Sequence, residues 1–189
     1  MDKLKYTIKI AGIERDLPLC KLDNDEMIAA FVIFGDVEIT TACATELLKR
    51  APEFDYMIAP EAKAIPLIHE MARQAGAKKY MLVRKVAKFY MDGVFSVDDN
   101  SITTAGIQKL YLDGADAKLL KDKRVLIIDD VVSTGGSLAA VEALVKQAGG
   151  NIVGKMTILA EGPASKRDDV IFLERLPLFD KEGNPKPFD

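Results

Sequence analysis

Residues Val125–Ser137 read VLIIDDVVSTGGS. The apolar run Val125–Ile128 suits a strand buried on both faces. Asp129 and Asp130 follow it. After Val131 and Val132, the loop Ser133, Thr134, Gly135, Gly136 and Ser137 opens a helical pattern with Leu138, Val141, Leu144 and Val145 on one face. In an open α/β sheet, ligands collect beyond the carboxyl ends of the strands, so carboxylates there face a ligand. Two adjacent ionised acids can accept hydrogen bonds from the vicinal hydroxyls of a sugar. The loop offers different chemistry. Its glycines admit an anion closely, its hydroxyls donate, and the helix start adds unpaired N–H groups at the positive end of a dipole. A diol site followed at once by a monophosphate cradle matches a ribose 5-phosphate held by one segment. STGGS alone reads equally well as a capped helix start; the buried strand and the acid pair before it favour a ligand. No GK[ST] follows a GxxxxG and no GxGxxG occurs, which excludes a P-loop and a dinucleotide fingerprint.

Working outward, Gly136–Ala148 is followed by a strand at Asn151–Leu159. Upstream, a strand at Tyr56–Ala59, a helix at Ile65–Ala75 stopped by Gly76, and a strand at Tyr80–Val83 make a β-α-β unit. Val37, Ala44, Leu47 and Leu48 recur at helical spacing until Ala51-Pro52. Such alternation predicts an α/β fold with a central parallel sheet flanked by helices. Tyr6–Ile10 and Asp16–Cys20, around a turn with Gly12, predict a hairpin or β cap outside that sheet. Lys88–Thr104 has no period and predicts a mobile loop or a twisted hairpin; Gln108–Leu112 is a strand closed by Asp113-Gly114. Three prolines and Gly183 from Pro177 onward predict a tail that wraps the surface or frays.

A chain of 189 residues with 49% hydrophobic side chains can bury one substantial core, so a single domain is expected. The 26 basic and 29 acidic residues leave a formal charge of −3, so no basic excess points to nucleic acid and any phosphate site must be local. Cys20 and Cys43 have neither redox-pair nor zinc-ligand spacing, and both are expected to be reduced and buried. The N-terminal MDKLKYTIKI alternates charged and apolar residues where a secretory leader would need an uninterrupted apolar stretch, so none is expected, and no apolar run reaches the length of a membrane span. A cytoplasmic enzyme or binding protein without a membrane partner is the expectation.

VLIIDDVVSTGGS resembles the phosphoribosyl pyrophosphate (PRPP) signature of the type I phosphoribosyltransferases. The wider similarity runs from about Val37 to Ala160 and is greatest to the adenine branch. The resemblance implies that Asp129 and Asp130 hold the ribose hydroxyls, and that Val132, Ser133, Thr134, Gly135, Gly136 and Ser137 hold the 5′-phosphate. Glu61, Ala62 and Lys63 match the family's pyrophosphate loop, with Ala64 where glycine is usual. Arg84, Lys85 and Lys88 resemble its pyrophosphate-facing cations, Arg84 acting in some members across a homodimer. Asp129, Asp130, Lys63 and Arg84 are thereby the candidate catalytic residues.

The implied reaction is Mg2+-dependent transfer of 5-phosphoribosyl from PRPP to a purine base, adenine first, as in purine salvage. Magnesium would be held mainly by substrate and water, with no dedicated protein ligands. Residues 1–36 would form a small hood, 37–176 the core and 177–189 a tail, with the segment Leu176–Phe179 joining the hood. The stretch 88–104 stands where the family has a flexible catalytic loop, but Ser101-Ile102-Thr103-Thr104 lacks that loop's glutamate, leaving Asp98 or Asp99 as substitutes. Hypoxanthine, guanine or xanthine as acceptor, and a non-catalytic PRPP-sensing regulator, are the alternatives. His69, the one histidine, reads as a packed or solvent-facing helix residue rather than a general base.

Overall fold

The computed structural model describes residues 4–22, 26–99 and 108–188. Its centre is a parallel sheet of five strands: β4 (Tyr56–Pro60), β5 (Met81–Val83), β8 (Arg124–Val132), β9 (Asn151–Glu161) and β10 (Ile171–Leu176). They lie in the order β10-β9-β8-β4-β5. The middle strand β8 feeds both sides of the core, because successive side chains point to opposite faces. Leu126 and Ile128 join Met57 and Ala59 beneath helices α1 (Val37–Leu48) and α2 (Ile65–Gln74). Val125 and Ile127 join Ile58 on the other face, with Ala117 and Leu120 of α3 (Gly114–Leu120) and Val141, Leu144 and Val145 of α4 (Gly136–Gln147). The α/β architecture expected from the alternation is present.

Two small β units flank this core. At the N-terminus, β1 (Lys5–Ile10), β2 (Ile13–Lys21) and β3 (Met27–Ala29) form an antiparallel sheet. Ala11 and Gly12 turn β1 into β2 with φ of 51° and 84°, two consecutive positive values that suit a tight two-residue hairpin. Arg15 ties this sheet to the start of α1, its Nε 2.7 Å from Asp36 Oδ2 and its guanidinium 2.6 Å from Glu38 Oε2. On the opposite side, β6 (Phe95–Asp99) pairs antiparallel with β7 (Gln108–Leu112). The Lys88–Thr104 segment therefore contributes one strand of a hairpin, while its portion 100–104 lies outside the described residues, as does the missing-glutamate comparison at 101–104.

Several details differ from expectation. The tail does not fray: Phe179 is fully buried, exchanges backbone hydrogen bonds of 2.9 Å with Met27, and packs edge-on against Tyr6 with ring centroids 5.0 Å apart. An aromatic side chain facing an apolar sheet outweighs the local influence of the prolines. Cys20 is exposed rather than buried, because alternation along β2 turns Leu19 inward and Cys20 outward; Cys43 is buried, and burial pushes its thiol up to about 12. Asp113-Gly114 starts α3, with Asp113 accepting from the Ala115 N–H, rather than merely closing a strand.

Phe179→Ala should destabilise the protein by about 3 kcal/mol, the usual cost of emptying a buried aromatic site. Chemical denaturation checks this; a loss below about 1 kcal/mol would show that the tail is not part of the hood's core.

Candidate active site

The carboxyl ends of β4, β8 and β9 open into a cleft of about 430 Å3, walled on its far side by Ile28–Val32 of the N-terminal sheet and the segment after it. Pro60–Lys63, Lys85, Leu110, Asp129–Leu138 and Glu161 complete the lining. Strand β8 runs two residues past the acid pair to Val132, so Asp129 and Asp130 belong to the strand rather than to the loop after it. Both are buried, at 8% and 4% exposure, which a structural strand end in solvent would not produce.

Asp129 Oδ1 accepts the Asp130 backbone N–H at 2.8 Å. Burial, with the Asp130 charge beside it, pushes the Asp129 carboxyl well above the ordinary carboxylate range. Asp130 Oδ2 is buried without a well-formed hydrogen bond; its contact is an ion pair with Lys63 Nζ at 2.9 Å. That oxygen keeps acceptor capacity for a ligand hydroxyl.

The helices divide by how they begin. The N-termini of α1 and α3 are capped by the side chains of Asp36 and Asp113. The two whose starts line the cleft, α2 after Lys63 and α4 after Gly135, have no side-chain cap hydrogen bond. At α4 the uncapped start leaves N–H groups and the dipole's positive end toward the cleft, an arrangement suited to a phosphate group, whereas at α2 Pro66 has no N–H and the Ile65 N–H bonds to the Ala62 carbonyl at 3.2 Å, so that end offers chiefly its dipole and Lys63. Gly135 has φ of 83°, and a Cβ there would collide with Nη1 of Arg167. Arg167 is held by Asp169, Nε to Oδ1 at 2.9 Å and Nη2 to Oδ2 at 2.7 Å; Asp169 also pairs with Lys155, which lies 2.9 Å from Glu142 on α4. A buttressed cation therefore backs the loop.

Glu61 organises the other flank. It accepts from Arg84 Nε and from the Lys85 backbone N–H, both at 2.6 Å, fixing the β5 end to the turn before α2. The Glu61-Ala62 peptide is cis. Ala64 is right-handed, with φ of −71°, so the absence of glycine there needs no special backbone.

Of the residues singled out from the sequence, Asp129, Asp130, Val132, Ser133–Ser137, Glu61, Ala62, Lys63 and Lys85 share this cleft. Arg84 and Lys88 do not line it. Arg84 turns behind Glu61 toward the Tyr90 hydroxyl, 2.9 Å away, beside a second cavity, and the Lys88 backbone N–H meets the Met91 sulfur. His69 is exposed on α2, edge-on to Tyr80. The sequence reading omitted Glu161, Arg167 and Ile28–Val32. Glu161 follows the apolar run Ile158–Ala160, and a buried strand that ends in an acid was the signal already used for β8.

The profile of the phosphoribosyl transferase domain matches residues 39–184. The chain belongs to that family. Among curated relatives, the adenine phosphoribosyltransferase of Thermotoga petrophila is 36% identical over 101 residues, 53% of this chain and 56% of that protein. The hypoxanthine/guanine phosphoribosyltransferase of Methanotorris igneus is 30% identical over 125 residues, 65% of this chain and 64% of that one. The matches thus span under two thirds of these relatives' lengths. In fold, the adenine phosphoribosyltransferase of Thermoanaerobacter pseudethanolicus superposes with a TM-score of 0.63 at 24% identity, covering 76% of this chain and 84% of that one. The enzyme from Giardia lamblia gives 0.64 at 18% identity, covering 91% and 93%. The type I phosphoribosyltransferase fold is shared. Among the described residues, no helix is long and apolar enough to cross a membrane, and no group of three or more His, Cys, Asp or Glu is placed to hold a metal ion.

Two outcomes follow. Because the Asp129 pKa is raised in the folded state, its contribution to stability is complete below the ordinary carboxylate value and is lost as pH rises through the raised value. Asp129→Asn, which keeps the Oδ1 acceptor, should therefore raise the melting temperature more at pH 8 than at pH 4 while weakening PRPP binding; an equal shift at both pH values would contradict the burial argument. Gly135→Ala should weaken binding of ribose 5-phosphate by about tenfold or more, since it forces both a strained backbone and displacement of Arg167. Calorimetric titration measures this, and unchanged affinity would show that the loop does not carry the phosphate.

Proposed function

We propose that this protein is a purine phosphoribosyltransferase, moving the 5-phosphoribosyl group of PRPP to a ring nitrogen of a purine and releasing pyrophosphate. The observation that carries the proposal is the buried Asp129–Asp130 pair followed directly by an uncapped, glycine-started helix, in one cleft with Lys63 and Lys85. A cleft of about 430 Å3 falls within the roughly 300–1,000 Å3 typical of small-molecule sites. The ribose hydroxyls donate to Asp129 and Asp130, including Oδ2 of Asp130, whose contact in the free protein is Lys63. The 5′-phosphate takes the N–H groups and hydroxyls of Val132–Ser137, with Arg167 behind Gly135 adding positive potential. The pyrophosphate lies over the start of α2, where Lys63 exchanges Asp130 for a phosphate oxygen and Lys85 supplies a second cation.

As the leaving group departs, the anomeric carbon becomes oxocarbenium-like, a charge that adjacent carboxylates tolerate. The task of the protein is to fix the ring, neutralise the departing charge and exclude water. The acid pair, with acceptor capacity left on Asp130 Oδ2, fits a substrate that carries magnesium, which Asp129 and Asp130 would face chiefly through the substrate and water. When bound, magnesium would supply charge neutralisation on the leaving pyrophosphate. Arg84 serves by anchoring Glu61, and through it the turn that meets pyrophosphate.

The hood residues Ile28–Val32, where Val32 is exposed into the cleft, cover the base. Adenine is the first acceptor to test, and hypoxanthine and guanine are the second, since both kinds of relative are comparably similar. The exposed Val86, Phe89 and Tyr90 next to Arg84 form an apolar patch suited to pairing with a second copy of the chain. The protein acts in the cytoplasm on small molecules rather than on nucleic acid.

Supplying PRPP, magnesium and single purine bases while following pyrophosphate release tests the proposal; turnover is expected with at least one purine, and none with any base would refute the enzyme. Lys63→Met should lower kcat by about 100-fold, the scale of losing one charge-stabilising group. An unchanged kcat would leave Lys63 as no more than the partner of Asp130.

A further inference from the structure

The ion pair between Lys63 and Asp130 joins two parts of the cleft that a ligand would use separately. Asp130 is fixed on β8 with its side chain 5% exposed, while Lys63 comes from the turn after β4 and is 48% exposed. Their charged atoms stand 2.9 Å apart. Lys63 is thus the partner free to move, and Asp130 is the one that loses by the move, since its buried Oδ2 has no hydrogen bond to fall back on. The same ammonium acts on two further buried acids of the cleft. Burial raises the pKa of Asp129 and of Glu161, and the Lys63 charge opposes both shifts.

The pyrophosphate side of the cleft has few other groups for an anion. At the start of α2, Pro66 lacks an N–H and the Ile65 N–H is bonded to the Ala62 carbonyl, which leaves Lys63 as the principal donor of that turn. Lys85, just after β5, lines the same cleft, is exposed, and takes part in no ion pair among the described residues. The two cations therefore differ before any ligand arrives: Lys63 is committed to a ribose acid and Lys85 is open to solvent.

We propose that the Lys63–Asp130 pair is a latch that determines which anions the cleft accepts. In the free protein it withholds Lys63, so a bare anion such as inorganic pyrophosphate must strip a buried carboxylate of its counter-charge to gain that cation. A ligand that carries vicinal hydroxyls beside its phosphates, as PRPP does, gives Asp130 replacement donors in the same event, and Lys63 turns to the phosphate without leaving the acid unpaired. This rests on the ribose and pyrophosphate assignments above and extends them: the two subsites cooperate, and the acid of one sets the affinity of the other.

Calorimetric titration with sodium pyrophosphate, without magnesium, tests the latch. Asp130→Asn, which keeps the shape of the side chain and removes its charge, should raise pyrophosphate affinity about tenfold, whereas in a Lys63→Met background the same change should raise it by less than about threefold. In a Lys85→Met background the gain should persist at about tenfold, because Lys85 is not tied to Asp130. The wild-type protein supplies a second measurement that needs no acid variant: saturating ribose 5-phosphate should tighten pyrophosphate binding about tenfold, an effect lost in Lys63→Met. A gain from Asp130→Asn that is equal with and without Lys63 would reflect only the removal of a negative charge and would overturn the latch. No gain at all, or a wild-type pyrophosphate affinity that ribose 5-phosphate leaves unchanged or weakens, would overturn it too. Failure of the wild-type protein to bind ribose 5-phosphate would instead refute the ribose-phosphate reading on which it rests.

Discussion

Two carboxylates held side by side at the end of a buried strand are the constraint around which this molecule is arranged. Asp129 is buried at the cleft wall, and Asp130 has a buried oxygen whose contact is the ammonium of Lys63. Neither arrangement favours folding, since burial penalises the charged form and adjacent like charges add to the penalty. The rest of the fold offsets this cost. Strand β8 lies in the middle of the sheet, between β9 and β4, with fully buried apolar residues at Val125–Ile128 fixing its position. A site of this kind is strained for the free protein and complementary to a ligand rich in hydroxyls.

The surrounding parts follow the same logic of charge left unanswered until a ligand arrives. Helices α1 and α3 satisfy their own N-termini with Asp36 and Asp113, whereas α2 and α4 present uncapped starts to the cleft. Lys63 stands at one of these starts, where the dipole disfavours a cation, and Asp130 compensates it. The chain as a whole carries a formal charge of −3, so attraction for a polyphosphate is built locally from these groups and not from net charge. Arg167, locked to Asp169 behind Gly135, shows how the positive potential is kept in place by a network rather than by a single side chain.

What could be read in the sequence was what depends on local pattern. The apolar run before Asp129, the glycines at 135 and 136, and the alternation of strand and helix periods specified the parallel sheet and the segment that lines its cleft, since these features need few distant partners. The parts missed depend on tertiary neighbours. Phe179 sits in a proline-rich tail whose composition suggests exposure, yet its ring packs against Tyr6 at the other end of the chain, a neighbour no local pattern announces. Strand β10, with its exposed Glu174 and intermediate Ile171 and Phe172, has too weak an apolar pattern to announce itself and is held by pairing with β9. Ending β9 at Leu159 rather than Glu161 removed a buried acid from consideration, a two-residue boundary difference that decided whether a cleft residue was seen. Arg84 carried the right charge at the right strand end, but side-chain direction, which sequence does not supply, turns it behind Glu61.

The central claim is that the segment from Asp129 to Ser137 holds a ribose 5-phosphate as one continuous site. A crystal structure of the protein with ribose 5-phosphate is its most direct test. The account predicts the two ring hydroxyls within hydrogen-bonding distance of the Asp129 and Asp130 carboxylates and the phosphate on the backbone N–H groups at the start of α4. A sugar phosphate bound elsewhere, or bound here in reverse with its phosphate against the acid pair, would contradict it.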